Sequence, residues 1–199
     1  MKSVLISIRP EWCGKIAMGR KTIEIRKTAP KIAAPFKCYI YCTKGNPSDP
    51  HQRLETHSDG RCFLANGKVF AEFICDFIEP VSERNKAVIS TLSCVPLPEL
   101  YDYAGAKGLE GLFGWHISDL KVYDKPKELC EYTKYSDGDI RPCQNGCECQ
   151  YEYYDYSEDC VACGIDFDGE NCPFIKLQRP PQSWCYAYGT ESEVDNGQA

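Results

Sequence analysis

The stretch Gly19-Arg20-Lys21-Thr22-Ile23-Glu24-Ile25-Arg26-Lys27 restricts the fold more than any other part of the chain. It reads as a turn followed by a short strand. On a strand, successive side chains point to opposite faces. Ile23 and Ile25 therefore enter a core on one side. Thr22, Glu24 and Arg26 point the other way, and Lys21 sits at the junction with freedom to join them. One short strand thus gathers an ammonium, a carboxylate and a guanidinium, which together suit a phosphate, a nucleobase edge or a polar amide. An amphipathic strand with a solvated face, on which Glu24 and Arg26 form a weak surface pair, fits the same pattern.

Further elements follow from the same alternation. Residues 4–8 read as a strand ended by Pro10. A helix opens at Pro10 or Glu11 and runs to Met18, with Trp12, Ile16 and Ala17 inward and Gly19 as its left-handed cap. Residues 37–43 form a strand with Cys38, Ile40 and Cys42 on one face. Residues 44–66 are polar, carry His51 and His57, and read as a mobile loop. Asn66-Gly67 marks a turn into a long strand over 68–78. Residues 98–103 make one or two helical turns ended by Gly105. Residues 113–122 contain a strand, and 175–177 and 184–188 return as closing strands. His116 reads as a strand histidine beside Trp115. There is no internal repeat.

Several of these stretches resemble the ASCH domain. Gly-Arg-Lys-Thr-Ile-x-Ile-Arg at 19–26 is preceded by Ser7-Ile8-Arg9-Pro10 and a short helix. Gly67-Lys68-Val69-Phe70-Ala71-Glu72-Phe73, Gly114-Trp115-His116-Ile117-Ser118-Asp119-Leu120 and Arg179-Pro180-Pro181-Gln182-Ser183-Trp184-Cys185-Tyr186 are similar as well. The resemblance covers residues 2–128 and 174–188. It implies an α+β, PUA-like fold: a small mixed β-barrel with a few short helices and a Cys-rich insert before the last strand. The division it implies is a barrel over 1–128, an acidic Cys-rich insert over 129–173, closing strands over 174–188 and a disordered tail over 189–199. The expected relatives are small ASCH proteins of bacteria and phages, associated with RNA or nucleotide binding.

The net charge of −6 argues against broad, nonspecific nucleic-acid binding by the whole chain. The average hides a split: residues 1–50 hold ten Lys or Arg against three Asp or Glu, and residues 131–172 hold two against eleven. A polyanion is therefore expected near the N-terminal half, away from the insert. The opening apolar run is interrupted by Arg9 and Glu11 too early for a signal-peptide core. The sequence is read as soluble and cytoplasmic.

The 14 cysteines fall into groups of different character. Cys38, Cys42, Cys75 and Cys185 fall in strand patterns and read as small buried hydrophobes. Cys13 reads as core-facing rather than nucleophilic. Cys143, Cys147, Cys149, Cys160, Cys163 and Cys172 lie among Tyr, Asp, Glu and Gly, in a segment with too few aliphatics for a core of its own. Cys160-Val161-Ala162-Cys163 is a C-x-x-C knuckle, and thiolates at this spacing suit tetrahedral zinc. The expected ligands of a structural zinc are Cys143, Cys147, Cys160 and Cys163, with Cys149 and Cys172 as alternates. Disulfides, a reduced disordered loop and an iron–sulfur cluster are also compatible with this spacing.

Three functions compete. In the first, Lys21, Thr22, Glu24 and Arg26, with Arg9 and Trp12, line a cleft that binds RNA, a nucleotide or a nucleoside. Arg26 and Lys21 contact a phosphate or base, Glu24 accepts from an exocyclic amine, and Trp12, Tyr39, Tyr41 or Trp115 stacks on a base. The second is an enzyme, because the 19–26 motif also resembles the bacterial N4-acetylcytidine amidohydrolases, small ASCH proteins in which a lysine at the place of Lys21 is implicated in catalysis. Those enzymes carry a threonine where this chain has Glu24, and a later glutamate that only Glu72 or Glu99 offers to match. The third is an accessory module that binds a protein partner through the acidic insert.

Overall fold

Alternating apolar residues build most of the architecture. The computed structural model describes residues 3–135 and 174–188. In chain order these form β1 (Ser3–Ile8), α1 (Pro10–Ala17), β2 (Ile23–Arg26), β3 (Phe36–Cys42), β4 (Glu55–Ser58), β5 (Arg61–Leu64), β6 (Val69–Cys75) and β7 (Ile78–Pro80). There follow α2 (Lys86–Ser93), α3 (Leu97–Ala104), β8 (Phe113–His116), β9 (Ser118–Lys127), β10 (Thr133–Tyr135), β11 (Phe174–Lys176) and β12 (Trp184–Ala187). The expected insert and tail lie mostly outside the described residues.

A five-stranded mixed sheet runs β12-β1-β3-β6-β9, and a three-stranded antiparallel sheet runs β2-β8-β7. Two chain segments join them. The β6 strand continues through Asp76-Phe77 into β7, and β8 continues through Ile117 into β9, so each passes from one sheet to the other. The long strand expected over 68–78 is therefore two strands with a bend. Among the described residues the ladders do not close into the barrel that the sequence led us to expect. The outer edge of β2 carries no strand partner among these residues. Side chains span the gap to β12 instead.

Three apolar layers follow from the pleat. Val4, Ile6, Ile8, Cys38, Ile40 and Cys42 face the space between the sheets, where they meet Cys13 and Ile16 of α1 and Trp115 of β8. Leu5, Tyr39 and Tyr41 point to the other face of the large sheet and pack with Tyr123, Leu129, Tyr132 and Leu177. Ile23 and Ile25 pack against Ile89 of α2 and Leu100 and Ala104 of α3, with Val81, Leu109 and Leu112. Burial at this scale supplies the main folding force, at about 25 cal/mol per Å² of apolar surface.

The segment 44–66, read as a loop, contains the β4–β5 hairpin. Its turn is Asp59-Gly60, and both residues have positive φ, +52° and +70°. Asp-Gly suits the tight turn whose twist matches paired strands. No helix among the described residues is long and apolar enough to cross a membrane.

Candidate functional site

Lys21, Glu24 and Arg26 come together in the space behind β2, but not on a solvated face. All four residues of β2 are buried, and Lys21 retains only 2% of its accessible surface. The reason is layering: Ile23 and Ile25 face the helices, so Glu24 and Arg26 turn inward toward the large sheet and α1. Residues distant in sequence complete their surroundings.

Glu24 is the hinge of the cluster. Its Oε2 lies 3.1 Å from Lys21 Nζ and its Oε1 lies 2.9 Å from an Arg26 amino nitrogen. Lys21 Nζ also donates to the carbonyls of Ile23, at 2.9 Å, and Ser93, at 2.8 Å. Three donors thus meet three acceptors. An ammonium held this way has no lone pair with which to attack a carbonyl. Ser93 ends α2, and the adjacent Leu92 carbonyl accepts from the Thr22 amide at 2.8 Å. Residues 21 and 22 therefore satisfy carbonyls that the helix end leaves open. The Thr22 side chain is half-buried at this junction.

Arg26 reaches across the seam between β2 and β12. One amino group donates to Ser7 O at 2.6 Å and the other to Ser183 Oγ at 3.3 Å. Two further bonds cross the same seam: Trp184 Nε1 to Thr28 Oγ1 at 2.9 Å, and the Lys31 amide to Tyr186 Oη at 2.8 Å. Among the described residues, Arg26 Nε has no hydrogen-bond partner, and neither does the buried indole N–H of Trp115. Glu24 and Trp115 are register partners, and Arg26 is the diagonal neighbour on the same face. Glu24, Arg26 and Trp115 therefore share one face of the small sheet.

Tyr103 of α3 was not among the residues singled out from the sequence. It is 40% exposed. Burial is the main cause that pushes its hydroxyl above the ordinary phenol range; Glu24 adds to the rise, and Arg26 and Arg9 oppose it. The hydroxyl therefore feels all three charged groups. Lys27 Nζ lies 4.8 Å from the Tyr103 ring centre. Arg9 is exposed just before α1. The only sequence trace of Tyr103 was the helical turn in which it sits.

The other expected contacts divide. Trp12 is half-buried, with Lys15 Nζ 4.0 Å and Lys21 Nζ 5.3 Å from its ring. Trp115 is enclosed, edge-on to Phe36 at 5.9 Å and tilted on Trp184 at 5.9 Å. Tyr39 and Tyr41 face away from β2, and Tyr39 meets Tyr132 at 4.8 Å. Cys13, Cys38, Cys42 and Cys75 are buried, and Cys185 is half-buried. Burial pushes the Cys13 thiol well up, reinforced by the neighbouring Cys42. His116 pairs with Glu79 at 2.8 Å. Cys143, Cys147, Cys149, Cys160, Cys163 and Cys172, with the zinc expected there, lie outside the described residues, as does most of the acidic surface expected for a protein partner.

In structure the chain is similar to ASCH from Zymomonas mobilis, at 19% identity over 64% of this chain and 73% of that one, with a TM-score of 0.47. Two mutants of that protein match at 18% and 19% identity, covering 65% and 64% of this chain and 77% and 74% of theirs, each with a TM-score of 0.48. No family model and no curated protein matches the chain.

Proposed function

We propose that the seam between β2 and β12 binds a nucleotide-like ligand, as the resemblance of the 19–26 motif to ASCH domains implies. The observation that carries this reading is the pair of buried N–H groups without a partner among the described residues, Arg26 Nε and Trp115 Nε1, on the same sheet face as Glu24. A buried donor left unpaired costs about 1–3 kcal/mol. A ligand that brings acceptors to both nitrogens recovers that cost, and Glu24 can accept from an amine on the same guest. A pyrimidine or purine edge offers this mixture of acceptors and donors.

Each residue then has a part. Lys21 is spent on holding Glu24 and the end of α2, so it orients the carboxylate rather than touching the guest. Arg26 and Trp115 read the base edge. Arg9, Lys27 and Tyr103 surround the approach, where a phosphate gains from the two cations.

The test is titration of the full chain with cytidine, cytidine monophosphate and short single-stranded RNA, followed by intrinsic tryptophan fluorescence and calorimetry at two salt concentrations. Trp115→Phe removes one donor and keeps a ring. Loss of one neutral hydrogen bond, about 1 kcal/mol, weakens binding roughly fivefold. Arg9→Ala is expected to reduce the salt dependence of RNA binding by about one unit of slope. Absence of binding to all three probes at low salt, or an unchanged affinity in Trp115→Phe, refutes the proposal.

A further inference from the structure

We infer that the outward face of the β4–β5 hairpin is a binding site for a zinc-class divalent cation, held by Glu55, His57 and Cys62. Its residues belong neither to the β2–β12 seam nor to the cysteine-rich segment of the sequence over 143–172. The hairpin register makes it. His57 and Cys62 are directly paired across the two strands, and Glu55 lies two residues before His57 on the same face. The ligand atoms of all three lie within 4.8 Å of one another.

The opposite face of the hairpin is already committed. Thr56 is buried and donates to the Asp124 carbonyl of β9 at 3.0 Å. Phe63, its register partner, lies under Lys125 Nζ at 5.8 Å from the ring centre. The hairpin is therefore seated on β9 by one face, and the Glu–His–Cys face points to solvent. The Asp59-Gly60 turn fixes the register that aligns the three ligands.

The donor chemistry selects the ion. One imidazole nitrogen, one thiolate sulfur and one carboxylate oxygen form a borderline set that suits zinc and its neighbours rather than calcium or magnesium. Zinc bonds of about 2.0–2.3 Å place tetrahedral ligands about 3.3–3.8 Å apart, so small side-chain rotations complete the grip. Arg53 donates to Glu55 Oε1, and the Cys62 thiol is hydrogen-bonded to the same carboxylate, so a metal would replace the thiol proton between Cys62 and Glu55. When Cys62 binds as a thiolate, its proton passes to solvent. Three protein ligands leave a fourth position for water or an incoming donor.

The experiment uses the full chain, reduced and stripped of metal with a chelator, then titrated with zinc or cobalt(II) alone. Wild type is compared with Cys62→Ser and His57→Ala, and with Cys160→Ser/Cys163→Ser, which leaves the hairpin untouched. Each hairpin variant is expected to bind one equivalent fewer than wild type, or to hold that equivalent more weakly than the roughly 10–100-fold that loss of an outer-shell partner costs. The His57 imidazole proton resonances are expected to move on zinc addition in wild type and in Cys160→Ser/Cys163→Ser, but not in Cys62→Ser. His57 and Cys62 are exposed, so both single variants keep the metal-free fold, and the wild-type resonance shift needs no variant at all. Equal stoichiometry and affinity in wild type and both hairpin variants, or His57 resonances that zinc does not move, overturns the inference.

Discussion

Replacing Glu24 by glutamine tests the buried cluster against an internal control. The Lys21–Glu24 and Lys15–Glu11 pairs have the same 3.1 Å separation, but their side chains retain 1% and 9% of their surface in the first and 31% and 56% in the second. Distance alone predicts equal effects. Desolvation predicts very different ones. In Glu24→Gln, Lys21 and Arg26 stay buried without their anion, and breaking a buried pair in this way costs about 3–5 kcal/mol. Glu11→Gln removes an exposed i,i+4 pair worth about 0.2–0.5 kcal/mol. The larger loss is a sizeable share of a total stability of about 5–15 kcal/mol. At about 2–4 °C per kcal/mol for a chain of this size, it lowers the melting temperature by about 6–20 °C. Urea unfolding of both variants, followed by circular dichroism, reads the difference as a shift in midpoint at unchanged slope. If Glu24→Gln loses less than about 1 kcal/mol, or no more than Glu11→Gln, the carboxylate is not the desolvated counter-ion described here.

Two more perturbations probe the packing. Burial pushes the Cys75 thiol up to about 12 and the Cys185 thiol up to about 11. The folded chain then holds these protons more tightly than the unfolded chain, whose thiols titrate near about 8.5. Their contribution is complete below that value and fades as the pH rises toward about 11–12. The urea midpoint should fall from pH 8 to pH 11, less steeply in Cys75→Ala, and an equal slope in the variant rejects the assignment. Separately, a Cβ on Gly114 would lie 3.1 Å from Ile23 Cγ2 and 3.2 Å from Ile89 Cδ1. Gly114→Ala is expected to cost about 1–3 kcal/mol by overpacking. Ile89→Val removes one of the two contacts and should reduce that cost in a double-mutant cycle; strict additivity would contradict the reasoning.

The sequence conveyed local periodicity well and long-range enclosure poorly. The opposite faces of β2 and β3, the extent of α1 and the helix ended by Gly105 were legible because period and cap residues lie within a few positions. The enclosure of the charged cluster was not legible. Ser93 and Ser183, which help to close it, come from 72 and 157 residues beyond Lys21 and Arg26, respectively. α2 went unread because Lys86-Ala87-Val88-Ile89-Ser90-Thr91-Leu92-Ser93 is rich in β-branched residues with modest helix propensity. Ile89, packed against β2, supplies the tertiary support. The β4–β5 hairpin was missed because polar composition was weighed above the Asp59-Gly60 pair, the one local signal of a tight turn.

The two sides of the fold are mechanically unequal. On one side the backbone itself runs from sheet to sheet through Asp76-Phe77 and Ile117, like the spine of a book. On the other, Arg26, Trp184 and Tyr186 act as a clasp of a few side-chain bonds. Parting the clasp breaks no interstrand ladder between β2 and β12, whereas parting the spine disrupts both sheets. Local opening is therefore expected to begin at the clasp, where the fewest bonds must part.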